Sequence, residues 1–342
     1  MVKARKYVVI KRFNGMPKRS DFKIVEYELP PLPKDHILVK VEWVSVDPYV
    51  VAYNSLNKLP YDQRGYQIGL VIETKSKDYS VGTRVVTRHG WCNYCVVNPY
   101  AEIEDFYFNV KHPVAYKLKD WPGLPASYGI GALGLPGATA YYGLLKVCKP
   151  EKGETLVVTS AAGAVGSLVG QIAKMKGCKV IGVTGSDEKV KRLKKELGFD
   201  KAINYKTENI AEALALAAPD GIDIYFDNVG GDLSIAIMKQ MKTRGRVALC
   251  GDVSIHNEVS SSANTLNIFQ PIVLVKQLKV EGFVAFRWVS RRWSDLQELA
   301  DWITSGKVKV KEHVTVGVDK IFDAFVGMLN GENYGKALVK IS

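Results

Sequence analysis

The chain has 342 residues, 47% of them hydrophobic and 24% charged, with a formal net charge of +12. That length exceeds one ordinary hydrophobic core and predicts two domains, and the composition excludes a disordered or fibrous chain. No run approaches the ~20 apolar residues of a spanning helix, the first residues read as strand rather than signal segment, and five scattered cysteines make no disulfide framework; a reduced, cytoplasmic protein is expected. The basic residues are dispersed, which fits a solvated surface that favours anionic cofactors rather than a membrane or nucleic-acid partner.

Short β-rich runs separated by turn signals come first: Tyr7 to Lys11, Ile24 to Leu29, Ile37 to Val46, Tyr66 to Glu73, Thr83 to Thr87 and Trp91 to Val97. They predict a small, mostly antiparallel β domain. A helix or tight loop near Leu133 to Lys146 should carry the chain across to a closely packed second domain. From Glu154 apolar strands alternate with helical patterns, with strands at Thr155 to Ser160, Lys179 to Val183, Ile222 to Asp227, Arg246 to Cys250 and Leu278 to Phe283. That alternation predicts βαβ units on a parallel sheet, so the fold class is α/β with a Rossmann-type domain. A final strand, Ala337 to Ile341, is expected to return to the β domain.

The strand ending at Ser160 runs into Ala161-Ala-Gly163-Ala-Val-Gly166 and then a helix through Lys176. Small residues let a backbone approach a pyrophosphate, and a helix N-terminus offers N–H groups and a positive dipole end. Ala161 stands where the dinucleotide fingerprint has its first glycine. The next strand ends at Val183-Thr-Gly185-Ser186 with no carboxylate for a ribose 2′-hydroxyl, which favours NADP(H) over NAD(H). Lys189, one turn on, offers an ammonium to a 2′-phosphate, although its position also fits an ordinary exposed helix lysine.

Other chemistry leaves fainter marks. Cys92-Asn-Tyr-Cys95 has the spacing of half a zinc site, but there is no second pair, so no metal is expected; the thiols pack beneath a loop or form a reversible disulfide. Nucleophile-elbow, Walker and HExxH motifs are absent, which leaves hydrolysis and phosphoryl transfer without a constellation. Hydride transfer needs only a positioned nicotinamide, dryness and donors for developing negative charge. Tyr49 and Tyr141 are candidate pocket walls, with core packing as the alternative, and His256 is a candidate donor in a loop where a solvated histidine is the plainer reading.

Blocks in this order are highly specific: Ser45-Val-Asp-Pro-Tyr49, Gly137-Ala-Thr-Ala-Tyr-Tyr-Gly-Leu144, Ala161-Ala-Gly-Ala-Val-Gly-Ser167, Gly185-Ser-Asp-Glu-Lys189, Ile203-Asn-Tyr-Lys-Thr207, Tyr225-Phe-Asp-Asn-Val-Gly-Gly231, Phe283-Val-Ala-Phe-Arg-Trp288 and Gly331-Glu-Asn-Tyr-Gly-Lys336. Through them nearly the whole chain resembles the prostaglandin reductase branch of the zinc-independent medium-chain dehydrogenase/reductase superfamily, also described as alkenal/one oxidoreductases. The resemblance implies a GroES-like catalytic domain over residues 1–122 and 309–342, a Rossmann domain over 123–308 and an active site in the cleft. It also implies a homodimer.

By the same resemblance Gly163, Ala164 and Val165 serve the pyrophosphate, and Lys189 and Tyr205 the adenosine phosphate. Asn228 and the loop residues Cys250, Gly251, Ser254 and His256 contact the cofactor, while Phe283, Val284, Ala285 and Asn333 lie at the nicotinamide. The implied reaction is NADPH-dependent reduction of the C=C bond of an α,β-unsaturated ketone or aldehyde. A quinone reductase or lipid-alcohol dehydrogenase is the enzymatic alternative, and an NADPH-binding RNA-binding protein without turnover the non-enzymatic one. Two departures stand out: Val51 where the family carries arginine, and His256 where it carries tyrosine.

Overall fold

The computed structural model describes residues 3–105, 110–251 and 262–341, which form two compact units: Met1–Gly134 with Glu312–Ser342, and Leu135–Lys311. The first crossing lies after Gly134, beyond the expected 122, because the turn at Ala126–Ile130 belongs to the β unit. A methyl group on Gly129 would lie 2.2 Å from Leu118 Cδ1, and one on Gly134 2.5 Å from the Gly129 carbonyl, so the segment is laid down on that unit without room to spare. The return lies after Lys311 rather than at 309, since the Gln171 carboxamide holds Lys309 by both its N–H (2.8 Å) and its C=O (3.0 Å).

The first unit contains β1 (Ala4–Val9), β2 (Phe22–Tyr27), β3 (Ile37–Ser45), α1 (Tyr49–Leu56), β4 (Tyr61–Asp62), β5 (Gln67–Thr74), β6 (Arg84–Thr87) and β7 (Tyr94–Val97). It continues with β8 (Glu102–Asp105), β9 (Val110–Pro113) and β10 (Ala115–Lys117). Alternation along β3 buries Ile37, Val39 and Val41 on one face, the period-two pattern of a half-buried strand. A seven-stranded sheet runs β10-β6-β5-β3 and onward to C-terminal strands, with β7 also on β3. Trp91 anchors the core, stacked on Phe22 at 5.6 Å and edge-on to Tyr7 at 5.6 Å. Such pairs add to the burial of their large apolar surfaces.

The second unit begins with α2 (Leu135–Tyr142), continued by a wider π turn over Gly143–Cys148, where the connecting helix was expected. Then come β11 (Thr155–Thr159), α3 (Gly166–Met175), β12 (Lys179–Thr184), α4 (Asp187–Leu197), β13 (Lys201–Asn204) and α5 (Ile210–Ala217). After these follow β14 (Ile222–Asp227), α6 (Gly231–Met238), β15 (Met241–Leu249), α7 (Ser262–Val275), β16 (Lys279–Gly282) and α8 (Arg292–Thr304). The six strands pair in parallel in the order β13-β12-β11-β14-β15-β16, the third-second-first-fourth-fifth-sixth order of dinucleotide-binding sheets. Every residue of β11 is buried, as a strand covered on both faces requires. β13 is too short and polar to be recognised from the sequence, yet it completes the sheet.

The chain ends in the first unit with β17 (Glu312–Val316), α9 (Ile321–Leu329) and β18 (Lys336–Lys340). β18 pairs antiparallel with β3, Leu338 opposite Ser45, so the last strand does return to the β unit as expected. Among the described residues no helix is long and apolar enough to cross a membrane.

Candidate dinucleotide site

The site is built at the carboxyl ends of β11, β12, β14 and β15. Where β11 ends, Ser160 takes a left-handed conformation (φ 50°), Gly163 N–H donates to the Ser160 carbonyl (2.9 Å), and α3 starts at Gly166. A methyl on Gly166 would lie 2.4 Å from the Ser160 carbonyl oxygen, so only glycine lets the helix start this close to the strand end. The missing first glycine is compensated across the sheet. Gly182 of β12 faces Ala161, and a methyl there would lie 2.9 Å from the Ala161 Cβ. The space that the fingerprint usually creates in the turn is created here in the neighbouring strand.

No side chain caps α3 at Val165. The Gly163, Ser167 and Leu168 N–H groups are taken by the Ser160, Gly163 and Val165 carbonyls, so what the turn offers an anion at Gly163, Ala164 and Val165 is the positive end of the helix dipole. Backbone this close-packed, ending in an uncapped helix, fits a pyrophosphate.

At the end of β12, Ser186 caps α4 by accepting from the Lys189 N–H (3.3 Å). Lys189 is half-buried, and that burial, with the nearby positive charge of Lys206, holds its ammonium below the ordinary lysine range. Tyr205 lies against Gly185: a methyl there would meet Tyr205 Cε1 at 3.2 Å and Lys206 Cε at 3.3 Å. Lys206 was not among the sequence candidates. Its only signal was its place directly after Tyr205 in a recognised block, which spacing alone did not single out.

Between β11 and β14, Asn228 donates its backbone N–H to Thr159 Oγ1 (2.9 Å) and its side-chain Nδ2 to the Thr159 carbonyl (2.7 Å). Asp227 supports this turn from behind, accepting from the N–H groups of Val229 and Gly230, each at 2.9 Å, and from Ser234 Oγ at 2.7 Å. At the end of β15 the N–H groups of Cys250 and Gly251 donate to the Asp227 carbonyl, and a methyl on Gly251 would lie 3.1 Å from the Asn228 carbonyl oxygen. Burial pushes the Cys250 thiol up to about 12, so it is protonated at neutral pH and no nucleophile. Ser254 and His256 lie outside the described residues.

The ring of Phe283 is a core group rather than an exposed platform. It packs on Gly143 so closely that a methyl there would lie 2.2 Å from Phe283 Cζ, and it meets Phe226 edge-on at 6.0 Å. Val284 and Ala285 follow at the start of a helical turn. Tyr141 makes the packing contacts of the alternative reading: its hydroxyl donates to Glu298 Oε2 at 2.6 Å and its ring stacks on Trp302, binding α2 to α8. Tyr142 meets the same ring edge-on at 5.5 Å.

In the first unit Tyr49 opens α1 beside Tyr53, and burial, then the Asp47 charge, hold its phenol well above the ordinary range. Asn333 donates to the Gly335 carbonyl (2.7 Å) within its own turn. The block Ser45 to Tyr49 has an unforeseen partner: Lys336 Nζ donates to the Val46 carbonyl (2.7 Å), Asp47 Oδ1 (3.0 Å) and the Ala337 carbonyl (2.9 Å). Cys92 and Cys95 share the carboxamide of Gln67, which donates to Cys95 Sγ at 3.0 Å and accepts from Cys92 Sγ at 3.5 Å. Contact with Cys95 and burial hold the Cys92 thiol well above its ordinary range. Among the described residues no group of three or more His, Cys, Asp or Glu is placed to hold a metal ion.

A β unit closed by its own C-terminal strand, with a Rossmann unit inserted in the chain, is the architecture of the medium-chain dehydrogenases and reductases. Residues 5–104 match the family model described as the N-terminal domain of oxidoreductase, and residues 164–305 the one described as zinc-binding dehydrogenase. The chain is 43% identical to prostaglandin reductase 1 of Bos taurus over 99% of its own length and 100% of the relative's. It is 36% identical to 2-alkenal reductase (NADP(+)-dependent) of Nicotiana tabacum over 99% and 98%. The crystal structure of CurA in complex with NADPH from Vibrio vulnificus superposes with a TM-score of 0.90 at 33% identity, covering 99% of both chains. The chain therefore belongs to the prostaglandin reductase family of the medium-chain dehydrogenase/reductase superfamily.

Proposed function

We propose that this protein uses NADPH to reduce the carbon–carbon double bond of α,β-unsaturated aldehydes and ketones. Full-length similarity to a prostaglandin reductase and to an NADP-dependent 2-alkenal reductase supports the reaction class. The observation that carries the cofactor choice is the second strand end, where Gly185 and Ser186 are followed by Lys189 and no carboxylate is offered to the ribose.

When bound, NADPH supplies a hydride for the β-carbon of the substrate. Gly163, Ala164 and Val165 hold the pyrophosphate, Lys189 and Tyr205 the adenosine phosphate, and Asn228, Cys250, Gly251 and Ser254 fix the strand-end crossing. The backbone of Phe283, Val284 and Ala285 borders the nicotinamide, with the Phe283 ring locking that backbone from the core. His256 donates to the developing enolate oxygen and relays the α-carbon proton.

Val51 packs against the core of the first unit, so α1 offers no cation at the family's arginine position. Uncharged alkenals and alkenones are accordingly the preferred substrates over carboxylate-bearing lipids. The protein works in the cytoplasm as a homodimer, which light scattering of the purified chain checks.

The reading is tested by following NADPH oxidation with a short 2-alkenal and with a 15-oxo-prostaglandin, NADH in parallel, and mass spectrometry of the products. A mass gain of two hydrogens with the carbonyl intact is the expected result. Carbonyl reduction, or no turnover with either compound, removes the proposal.

A further inference from the structure

The turn leaving β13 is held in one shape by Asn204. Its Oδ1 accepts the Lys206 N–H (3.1 Å), its backbone N–H donates to Glu208 Oε1 (2.7 Å), and its carbonyl accepts from Thr207 and Glu208. The same side chain donates through Nδ2 to Asp187 Oδ1 at 2.7 Å. Asp187, the first residue of α4, is the carboxylate closest in sequence to the end of β12, and Asn204 engages it. One residue therefore both positions Lys206 and ties up a negative charge that would repel a phosphate.

The Lys206 stem then lies over Gly185, where a methyl group would crowd Lys206 Cε at 3.3 Å and Tyr205 Cε1 at 3.2 Å. Across the same strand end stands Lys189, whose ammonium is destabilised by burial and by the Lys206 charge. Two like charges brought together cost free energy in the free protein, and a dianion between them removes that cost.

We propose that Lys206 is a second cation of the 2′-phosphate site and, with Lys189, sets the preference for NADPH over NADH. The inference rests on the NADPH reading above. Arginine preserves the charge at this position, whereas glutamine keeps the length of the stem and loses it.

Calorimetric titration of the full-length protein with 2′,5′-ADP and with 5′-AMP separates the phosphate from the rest of the nucleotide. Lys206→Gln should weaken 2′,5′-ADP and NADPH about tenfold, as expected for losing one charge-assisted contact, and leave 5′-AMP and NADH within about twofold. Lys206→Arg should bind both like the parent. Unchanged 2′,5′-ADP affinity in Lys206→Gln, or an equal loss for both fragments, overturns the assignment. A parent protein that binds the two fragments equally overturns the NADPH reading itself, a different failure from an inert Lys206.

Discussion

Two buried carboxylates, one in each unit, take their strongest partners from different distances along the chain. In the Rossmann unit Asp227 accepts from neighbours two, three and seven residues along the chain at 2.7–2.9 Å, beside a longer bond from Thr159 Oγ1 at 3.3 Å. In the β unit the buried Lys336 reaches Asp47 across 289 residues. Local partners arrive as a motif that a reader can recognise; distant partners exist only after the C-terminal strand has paired with β3. The second kind of site is consequently the more vulnerable to single substitutions.

The largest expected effect follows from that contrast. Lys336→Met leaves Asp47 buried beside Ser45 without its cation and should destabilise the protein by about 3–5 kcal/mol, read from urea unfolding. The loss should be partly recovered in the double variant with Asp47→Leu. If the single variant unfolds like the parent, the long-range pair does not hold the β unit.

His89 sharpens the comparison through pH. Burial first, then the Arg64 charge, lower it from 6.5 to about 4. The unfolded chain then takes up the proton first as pH falls, so stability is unaffected above 6.5 and drops between 6.5 and about 4, by about 3 kcal/mol in total. Unfolding midpoints of the parent and His89→Asn across this window should diverge; parallel curves would show that the imidazole is not desolvated.

In the Rossmann unit Gly166→Ala places a methyl against the Ser160 carbonyl and should cost about 1–3 kcal/mol while weakening NADPH binding at least tenfold, seen by fluorescence titration. Retained affinity would mean that α3 does not have to start so near the strand. The smallest effect is expected for Tyr141→Phe, about 0.5–1.5 kcal/mol from the lost bond to Glu298. Its KM for a short alkenal should stay within about twofold, and a larger rise would return Tyr141 to the pocket wall.

The strand pattern, the parallel sheet and the glycine turn were legible because each depends on residues close in sequence. β13 was missed because four residues ending in Asn204 carry little apolar signal, although the sheet needs them. Tyr141 stayed open between pocket wall and core packing because the two look alike until the hydroxyl's partner, 157 residues away, is in view. Lys206 was overlooked since nothing in its spacing distinguishes it from the surrounding surface lysines.

By itself the sequence determined the α/β class, the alternation of strand and helix after Glu154, and the small-residue turn that feeds α3, all set by local sterics and hydrophobic period. Only the tertiary structure decided that Gly182 makes room for Ala161, that Asn204 pairs with Asp187, and that Lys336 lies beside Asp47. Those contacts join strands and turns far apart in the chain, and close packing fixes them only when the sheets have formed.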